Sequence, residues 1–333
     1  MRAVAVGVGS DPAWSASYPA GMRILVTGAA GFIGSQLSRH LSSIAEVVGI
    51  DDLSTGKLAN VQGVDVRMVV GSILDDDALA DAMQGCDAVV HLAARPSVPR
   101  SVADPLASHE ANATGTLKVL NAARELHDPL VIVASSSSVY GRNPTLPKSE
   151  DALPMPLSPY AVSKLATEQY AMAWQSSYGM KTLALRFFNV FGPYQAPDHA
   201  YAAVVPAFLA AALRGDPLTV HGDGLQSRDF TYVGTLCAVV ADAVARRVSH
   251  DWPVNLAFGT RTNLLEVIAI MESQLGHPLR REHVEQRVGD VRHSQADNSV
   301  LRSLFPSVAP VAVEDGISET IAWMRVHLER VAL

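Results

Sequence analysis

The chain has 333 residues, of which 48% are hydrophobic and 18% charged, a composition typical of a globular protein with a sizeable core. Its formal net charge of −7 at pH 7, with no long basic run, argues against nucleic acid as a partner. Two cysteines, Cys86 and Cys237, are too few for a disulfide framework or a zinc site, so we expect a cytoplasmic protein without a metal.

The N-terminal segment, residues 1–21, is expected to be a disordered extension. Its apolar run, Val4–Val8, is shorter than the core of a signal peptide and is followed closely by Pro12. A second apolar segment, Tyr201–Leu213, is interrupted by Pro206 and is shorter than the roughly 20 residues that a membrane span requires. We therefore expect no membrane attachment.

Strand and helix patterns alternate over residues 22–188, which predicts a doubly wound α/β domain with a parallel sheet. Apolar runs predict strands at Arg23–Thr27, Glu46–Asp51, Val64–Val69, Ala88–Ala93, Leu130–Ala134 and Thr182–Phe187. Helical patterns predict helices at Ile33–Leu41, Asp76–Met83, about Asp104–Leu126 and Pro159–Tyr178.

The alternation fades after Asn189, where prolines separate a series of short elements. This change predicts a smaller, mixed α/β domain over residues 189–330, which would bind the substrate. The segment Val254–Phe258 has strand character, and we expect it to return to the main sheet.

Three glycines, Gly28, Gly31 and Gly34, lie between the first strand and the first helix. Glycines allow the backbone to approach a pyrophosphate closely, and the following helix offers its N-terminal N–H groups. Asp51 ends the second strand about 20 residues later, where a carboxylate binds a ribose diol and repels the 2′-phosphate of NADP. A glycine turn alone would be weak evidence, but strand, helix and acid together predict an NAD site.

Tyr160 and Lys164 are spaced by four residues, which places a phenol and an ammonium on one helix face. A lysine cation and a positive nicotinamide ring would together favour the phenolate, whose free pKa is about 10, and make it a usable base. Taken alone, a tyrosine and a lysine at this spacing are more often exposed surface residues without a catalytic role. The serine run Ser135–Ser138 strengthens the catalytic interpretation, because it follows the strand Leu130–Ala134 at the edge where doubly wound folds bind ligands.

Taken together, these motifs resemble the extended short-chain dehydrogenase/reductase family, in particular its nucleotide-sugar epimerases and dehydratases. The resemblance covers nearly all of residues 22–330, and implies a Rossmann-type doubly wound domain. It rests on His91-Leu92-Ala93-Ala94, on residues 135–141 (SSSSVYG), on residues 186–192 (RFFNVFG), on Gly222-Asp223-Gly224, on Ser227-Arg228-Asp229-Phe230 and on Gly289-Asp290-Val291-Arg292.

The resemblance implies a role for each matching residue. Ser136, Tyr160 and Lys164 match the catalytic serine, tyrosine and lysine of the family. The expected cofactor contacts are Gly28, Gly31, Phe32, Ile33, Gly34, Asp51, Asp52, Leu53, Ser54, Thr55, Gly56, Ser72, Ile73, Leu92, Ala93, Ala94, Asn112, Tyr160 and Lys164. Ser72 departs from the family, which usually has an aspartate bonding the adenine amino group there.

The expected substrate contacts also follow from the resemblance. They are Ser136, Ser137, Ser138, Asn189, Gln195, Ala203, Val204, Thr219, His221, Arg228, Arg287, Asp290 and Ser294. Asn189, Arg228, Arg287 and Asp290 match positions that hold the phosphates, uracil and ribose of UDP.

The reaction that the resemblance implies is 4-epimerisation through a 4-keto sugar. Related 4,6-dehydratases carry Asp and Glu at the positions of Ser137 and Ser138, and decarboxylases carry Glu at the second. Because neither serine is ionisable, elimination lacks its acid and base, and oxidation and reduction at carbon 4 remain. UDP-glucuronate epimerisation, another nucleotide-sugar dehydration and a non-catalytic sensor of nucleotides stay as alternatives.

Two further expectations concern the sugar and the assembly. Ser294 matches a family position where tyrosine restricts the pocket and a small residue admits a 2-acetamido group, and Gln195 matches a position lining that pocket. UDP-glucuronate epimerases carry Thr at the position of Asn189 and a carboxylate-binding Arg at that of Ala196. We therefore expect the pairs UDP-GlcNAc/UDP-GalNAc and UDP-glucose/UDP-galactose. The family also implies a homodimer, for which Ala161, Leu165, Ala166, Tyr170 and Ala173 offer an apolar stripe.

Overall fold

The computed structural model of the protein describes residues 21–197, 202–286 and 291–331. The strands of this part are β1 (Arg23–Thr27), β2 (Glu46–Asp51), β3 (Arg67–Val70), β4 (Ala88–His91), β5 (Leu130–Ser136), β6 (Lys181–Phe187), β7 (Val190–Phe191), β8 (Leu218–His221), β9 (Ser227–Arg228), β10 (Thr231–Tyr232), β11 (Val254–Leu256), β12 (Thr262–Asn263) and β13 (Arg281–Val284). The predicted extension lies outside the described residues except for Gly21.

The helices are α1 (Phe32–Leu41), α2 (Asp76–Met83), α3 (Val98–Ala103), α4 (Pro105–His109), α5 (Gly115–Ala123), α6 (Pro159–Tyr178), α7 (Val204–Arg214), α8 (Val233–Arg246), α9 (Leu264–Leu275), α10 (Ser299–Leu304) and α11 (Val313–Val331). Two 3₁₀ turns, Leu58–Val61 and Ser137–Tyr140, and a π-helical turn, Glu110–Thr114, complete the described helical structure.

Seven strands form the main sheet in the order β11-β6-β5-β4-β1-β2-β3, and every pair is parallel. This is the doubly wound α/β architecture predicted for residues 22–188. The segment around 254–258 supplies the edge strand β11, whose Asn255 lies opposite Arg186 of β6.

Both faces of the sheet are covered, which explains why its strands are apolar throughout rather than alternating. In β1, Ile24 and Val26 point into a core that includes α1 and α8, whereas Leu25 points into a core that includes α2, α5 and α6. The chain turns in opposite directions from β1, to β2 and β3 on one side and to β4, β5 and β6 on the other. The carboxyl ends of β1 and β4 therefore form a topological switch point, where such folds bind ligands.

The structure differs from the sequence prediction in the segment between β4 and β5. One helix was expected over about Asp104–Leu126, but α4, the π-helical turn and α5 follow one another and end at Ala123. Pro105 begins α4 after its N-cap, Asp104. The Thr116 hydroxyl, in the first turn of α5, donates at 2.5 Å to the carbonyl of Asn112 in the π-helical turn, so a side chain takes part in the local hydrogen bonding.

Three small two-stranded sheets lie beyond β6, formed by β7 with β10, β8 with β13 and β9 with β12. These small sheets are formed by residues that follow Asn189. Because β7 begins three residues after β6 ends, they lie next to the carboxyl edge of the main sheet. Among the helices of the described part of the chain, none has both the length and the apolar character needed to cross a membrane.

Candidate active site

The glycine loop after β1 permits a very close approach of the backbone segments around it. Gly28 has φ +70°, and a Cβ there would lie 2.9 Å from the backbone of Ala93. A Cβ on Gly34 would lie 2.0 Å from the Gly28 carbonyl oxygen. No side chain caps the N-terminus of α1. The loop thus offers a narrow backbone cradle at a helix N-terminus, which fits the pyrophosphate of a dinucleotide.

Asp51, at the end of β2, holds this loop in place. One of its oxygens, Oδ2, accepts from the Ala30 N–H at 2.9 Å, and Oδ1 accepts from the Leu53 N–H at 2.8 Å. Burial raises the pKa of Asp51, while these backbone N–H groups oppose the rise. A carboxylate has about four acceptor positions, so these bonds leave acceptor capacity for a ribose diol. The residues present therefore fit NAD.

The other expected cofactor contacts lie at the same edge of the sheet. Asp52–Gly56 follow β2, Ser72 and Ile73 follow β3, and Leu92–Ala94 follow β4. The Ser72 hydroxyl accepts from the Leu74 N–H at 3.1 Å, so it shapes its own turn. Asn112 differs from these residues, because it lies in the π-helical turn and does not follow a strand.

The amide of Asn112 joins the loop after β4 to α6. Its Oδ1 accepts from the Arg95 N–H at 2.6 Å, and its Nδ2 donates to Ser163 Oγ at 2.9 Å and to the Arg95 carbonyl at 3.3 Å. These bonds occupy its polar atoms. We propose that Asn112 acts indirectly, and that its bonds to Arg95 and Ser163 position the edge of the sheet that binds the cofactor.

Tyr160 and Lys164 lie in the first turns of α6, facing the end of β5. The Tyr160 N–H donates to Ser101 Oγ at 3.0 Å, which fixes the start of the helix. Burial raises the pKa of Tyr160, and a hydrogen bond with the Ser136 side chain opposes that rise. The structure therefore brings Ser136 and Tyr160 together. The net shift of the Tyr160 pKa is upward, because burial outweighs this hydrogen bond.

Lys164 is almost completely buried, with 5% of its surface exposed. Its Nζ donates to the Ala134 carbonyl at 2.8 Å, and burial lowers its pKa to about 8. A buried ammonium next to β5 is a strong local charge, since little solvent screens it.

His91, the last residue of β4, lies behind this lysine and was not assigned a role from sequence. Its Nδ1 is 2.8 Å from Thr27 Oγ1 and its Nε2 is 3.1 Å from Thr116 Oγ1. Burial, with the charge of Lys164, lowers the pKa of His91 to about 3, so the ring is neutral near pH 7. A neutral ring accepts one of these bonds and donates the other, which ties β1, β4 and α5 together.

A buried ion pair lies one helical turn beyond Lys164, and sequence reasoning missed it. Arg186 of β6 donates from Nε to Glu168 Oε2 at 3.0 Å and from Nη2 to Glu168 Oε1 at 2.7 Å. Both side chains are at most 1% exposed. The Ser135 hydroxyl donates to Glu168 Oε2 at 2.7 Å. The spacing Tyr160, Lys164, Glu168 was the available signal, because it continues one helix face.

A cavity of about 710 Å³ lies beside β7 and α7 and is lined by part of the expected substrate set. Six of them line it, namely Asn189, Ala203, Val204, Thr219, His221 and Arg228. Gln226 lines it too and was not predicted. Its Nε2 donates to the His221 carbonyl at 2.8 Å, while its buried Oε1 has no partner among the described residues. The cavity lining is therefore mostly apolar with a few polar side chains, a combination suited to a nucleotide.

The remaining substrate residues lie outside the described lining of this cavity. The Ser294 N–H donates to the Ser227 carbonyl at 3.0 Å. Ser294, the predicted gate of the sugar pocket, therefore lies beside β9. Gln195 donates from Nε2 to the Val190 carbonyl at 3.1 Å. Ser137 and Ser138 begin the 3₁₀ turn after β5, next to Ser136. Arg287 and Asp290 lie outside the described residues.

Comparison with known proteins gives a consistent result. The model of the NAD dependent epimerase/dehydratase family matches residues 24–257. A UDP-glucose 4-epimerase of Mycolicibacterium smegmatis is 36% identical over 316 residues, covering 91% of this chain and 99% of that protein.

Solved structures with other substrates are also similar. A UDP-N-acetylglucosamine 4-epimerase from Methanobrevibacter ruminantium, in complex with UDP-N-acetylmuramic acid, has a TM-score of 0.87 and 35% identity, and the match covers 92% of this chain and 99% of that one. A UDP-glucuronic acid 4-epimerase from Bacillus cereus, with UDP-glucuronic acid and NAD, has a TM-score of 0.83 and 31% identity, covering 92% and 100%. Similar proteins thus act on different UDP-sugars.

Proposed function

The chain belongs to the NAD dependent epimerase/dehydratase family, and on that premise we propose that it interconverts UDP-GlcNAc with UDP-GalNAc and UDP-glucose with UDP-galactose. It is an isomerase of the UDP-sugar 4-epimerase type and uses NAD. One observation carries the proposal: Ser136, Tyr160 and Lys164 lie together at the carboxyl end of β5, on the same edge of the sheet from which the glycine loop leaves β1.

The chain's own residues supply the proton transfer. Tyr160, bonded to Ser136, takes the proton from the sugar 4-hydroxyl and returns it to the 4-keto oxygen. The Lys164 ammonium lies against β5, on the same face of α6 as the Tyr160 phenol. When bound, NAD supplies reversible hydride acceptance at carbon 4 and a positive ring that favours the phenolate. Because the same tyrosine serves both half-reactions, the 4-keto sugar has only to rotate and present its other face between them.

Arg228 supports the proposal for the UDP part, because it lines the cavity together with Thr219 and His221. Arginine suits a diphosphate because its planar fork donates two hydrogen bonds at once. We propose that Arg228 and Arg287 hold the diphosphate, so that the keto sugar rotates without leaving.

Dehydration is disfavoured by the residues next to Ser136. Ser137 and Ser138 carry no ionisable group, so removal of water lacks an acid and a base at these positions. The Ser138 hydroxyl is buried and has no partner among the described residues, which gives it no acidic neighbour to act through. Epimerisation requires neither group.

Glucuronate is disfavoured by the lack of a matching charge. Ala196 occupies the position at which UDP-glucuronate epimerases of the similar family carry an arginine. Burying a carboxylate without a cationic partner is costly. Ser294, in contrast, is a small side chain at the gate and leaves volume for a 2-acetamido group.

An NMR assay of all three UDP-sugar pairs with one enzyme preparation tests the proposal. We expect turnover of the N-acetylated and the plain hexose pairs and poor turnover of UDP-glucuronate. Ser294→Tyr should reduce the N-acetylated reaction at least about tenfold while sparing the hexose reaction, because a pocket rejects added volume.

Tyr160→Phe is the control in the same assay. It should abolish both reactions and leave the circular dichroism spectrum unchanged, because only a hydroxyl is removed. Residual turnover above a few per cent would contradict the role of Tyr160. Equal loss of both reactions in Ser294→Tyr would show that the gate is misplaced.

We also propose that the enzyme works in the cytoplasm. The two cysteines, Cys86 and Cys237, are both buried and unpaired. Free cysteines agree with a reducing compartment.

A further inference from the structure

The segment that carries Ser294 is held by a buried amide that contacts no cavity residue of the substrate site. Asn255, the middle residue of β11, is fully buried. Its Nδ2 donates to the Lys148 carbonyl at 2.8 Å and to the Asp297 carbonyl at 3.0 Å. One side chain therefore joins the loop after β5 to the gate segment, residues 293–297.

The same two stretches of chain are also joined by their backbones. The Lys148 N–H donates to the Gln295 carbonyl at 2.8 Å, and the Asp297 N–H donates to the Lys148 carbonyl at 2.8 Å. These bonds form a short ladder directly after Ser294. Asn255 lies against its end, since it bonds the carbonyls of both Lys148 and Asp297.

The opposite side of the gate segment is held by a buried carboxylate. Asp229 Oδ2 accepts from the Ala296 N–H at 3.1 Å and from the Gly259 N–H at 3.0 Å. The Ser294 N–H bonds the Ser227 carbonyl on this side as well. The gate segment is thus held by hydrogen bonds on two sides.

Asn255 also connects the gate to the catalytic helix. Its Oδ1 accepts from the Tyr140 hydroxyl at 2.6 Å, and that hydroxyl accepts from Arg186 Nη1 at 2.9 Å. Arg186 forms the buried ion pair with Glu168, four residues after Lys164. A continuous chain of buried hydrogen bonds therefore runs from α6 to the gate segment.

We propose that Asn255 is a positioning residue for sugar selectivity, holding Ser294 at the place where the pocket admits a 2-acetamido group. This inference rests on the proposed function. The amide of Asn255 uses both donors and its acceptor at once, which one orientation alone permits. Buried networks that are completely satisfied in this way specify a single arrangement.

The test compares kcat/KM for UDP-GlcNAc with kcat/KM for UDP-glucose in Asn255→Ala. Removing the amide frees the gate segment to move into the pocket, which penalises the larger sugar more. We expect the ratio of the two values to fall about tenfold, through a higher KM for UDP-GlcNAc, since small displacements in a pocket carry costs of this size.

Tyr140→Phe is the second variant, and it decides the matter if Asn255→Ala does not fold. It leaves the Asn255 donors in place but removes the hydroxyl that anchors Oδ1, so the ratio should fall about threefold. Thr182→Val is the matched control. The Thr182 hydroxyl is also buried and bonds Gln175 Oε1 at 2.8 Å and the Ala171 carbonyl at 3.1 Å, at the far end of β6.

The control should lower Tm without changing the sugar ratio. An unchanged ratio in Asn255→Ala or in a folded Tyr140→Phe, with both reactions reduced equally, would overturn the positioning role and leave the proposed function standing. A wild-type enzyme that turns over neither sugar pair would overturn the proposed function and this inference together.

Discussion

Lys164 shows how the proposed mechanism and the stability of the fold make opposite demands on a single residue. The proposed mechanism uses a cation next to β5, yet the position is 95% shielded from solvent and offers the Ala134 carbonyl as the hydrogen-bond acceptor of Nζ. Burial lowers the pKa of Lys164 to about 8, from the ordinary 10.5. Keeping the charge at pH 7 therefore destabilises the folded state.

We predict that Lys164→Met stabilises the fold and removes activity. The difference between the two pKa values corresponds to about 3 kcal/mol at most, which the variant should gain at pH 7. Below pH 8 wild type carries the buried charge in the folded state. Between pH 8 and 10.5 the folded state releases its proton while the unfolded state keeps it, so wild-type stability rises and the advantage of the variant shrinks. Urea unfolding of cofactor-free protein at several pH values measures this.

Lys181→Met serves as the control for this experiment. Lys181 is an exposed lysine that pairs with Asp128 at 2.9 Å. Its replacement should give no gain in stability, because exposed pairs contribute little and no buried charge is removed. A variant of Lys164 that is less stable than wild type at pH 7 would mean that the hydrogen bond to Ala134 outweighs the burial of the charge.

At this scale, residues with a local signature were predictable and residues whose partners are distant were not. The glycines, Asp51, Tyr160 and Lys164 stand out by their spacing or by their place at the end of a strand. The ion pair between Glu168 and Arg186 joins positions 18 residues apart, and Asn255 bonds groups more than 40 residues away in either direction. Helical spacing places Glu168 on the same face as Tyr160 and Lys164, but it does not identify the distant partner of such a residue.

The elements were predicted well where the pattern of apolar residues was long and regular. The strands β1 and β2 and the helices α2 and α6 have the predicted limits. The break between α4 and α5 was missed because no proline or glycine inside it marks the π-helical turn, which is stabilised by tertiary contacts of Asn112 with Ser163. The small strands β7, β9, β10 and β12 have two residues each, too few for a period to appear.

The packing of α1 on the glycine loop yields a prediction about an element. Alanine is normally favoured over glycine inside a helix by about 1 kcal/mol. At Gly34 the added Cβ would lie 2.0 Å from the Gly28 carbonyl oxygen, so α1 would have to move away from β1. We expect Gly34→Ala to lose more than about 4 kcal/mol of unfolding free energy, or to fail to fold.

Gly31→Ala is the matched control in the same loop. Its Cβ would lie 3.2 Å from the same carbonyl oxygen, and its φ of −76° suits any residue. We expect a loss of about 1 kcal/mol, the usual size for a tolerated substitution. Thermal unfolding followed by circular dichroism compares the two variants. Similar stability of both would show that the loop has room to relax.

At the scale of the whole molecule, three strongly exposed apolar residues lie on one set of neighbouring helices. Leu106 is 80% exposed, Val102 66% and Val162 52%. They lie on α3, α4 and α6, which pack against one another. The apolar stripe expected from sequence is composed differently. Ala161 is buried in the chain's own core, and Leu165 and Tyr170 pack against core clusters.

We propose that this face of α3, α4 and α6 pairs with a second copy of the chain. An exposed apolar face costs free energy when it is left in water. Stable dimers bury about 800 Å² on each partner. The homodimer expected from sequence would therefore form through Leu106, Val102 and Val162 instead of through the whole predicted stripe. Because α6 carries Tyr160 and Lys164, the partner would also stiffen the catalytic helix.

Leu106→Lys tests this arrangement, because it places a charge at the most exposed apolar position of the face. Light scattering of wild type should give about twice the 35.4 kDa of one chain, and the variant should approach a single chain. Val70→Lys is the control, since Val70 is 59% exposed on the edge strand β3, away from these helices. It should leave the mass unchanged. A monomeric wild type would exclude the dimer, and a Leu106→Lys protein that stays dimeric would move the interface to another face.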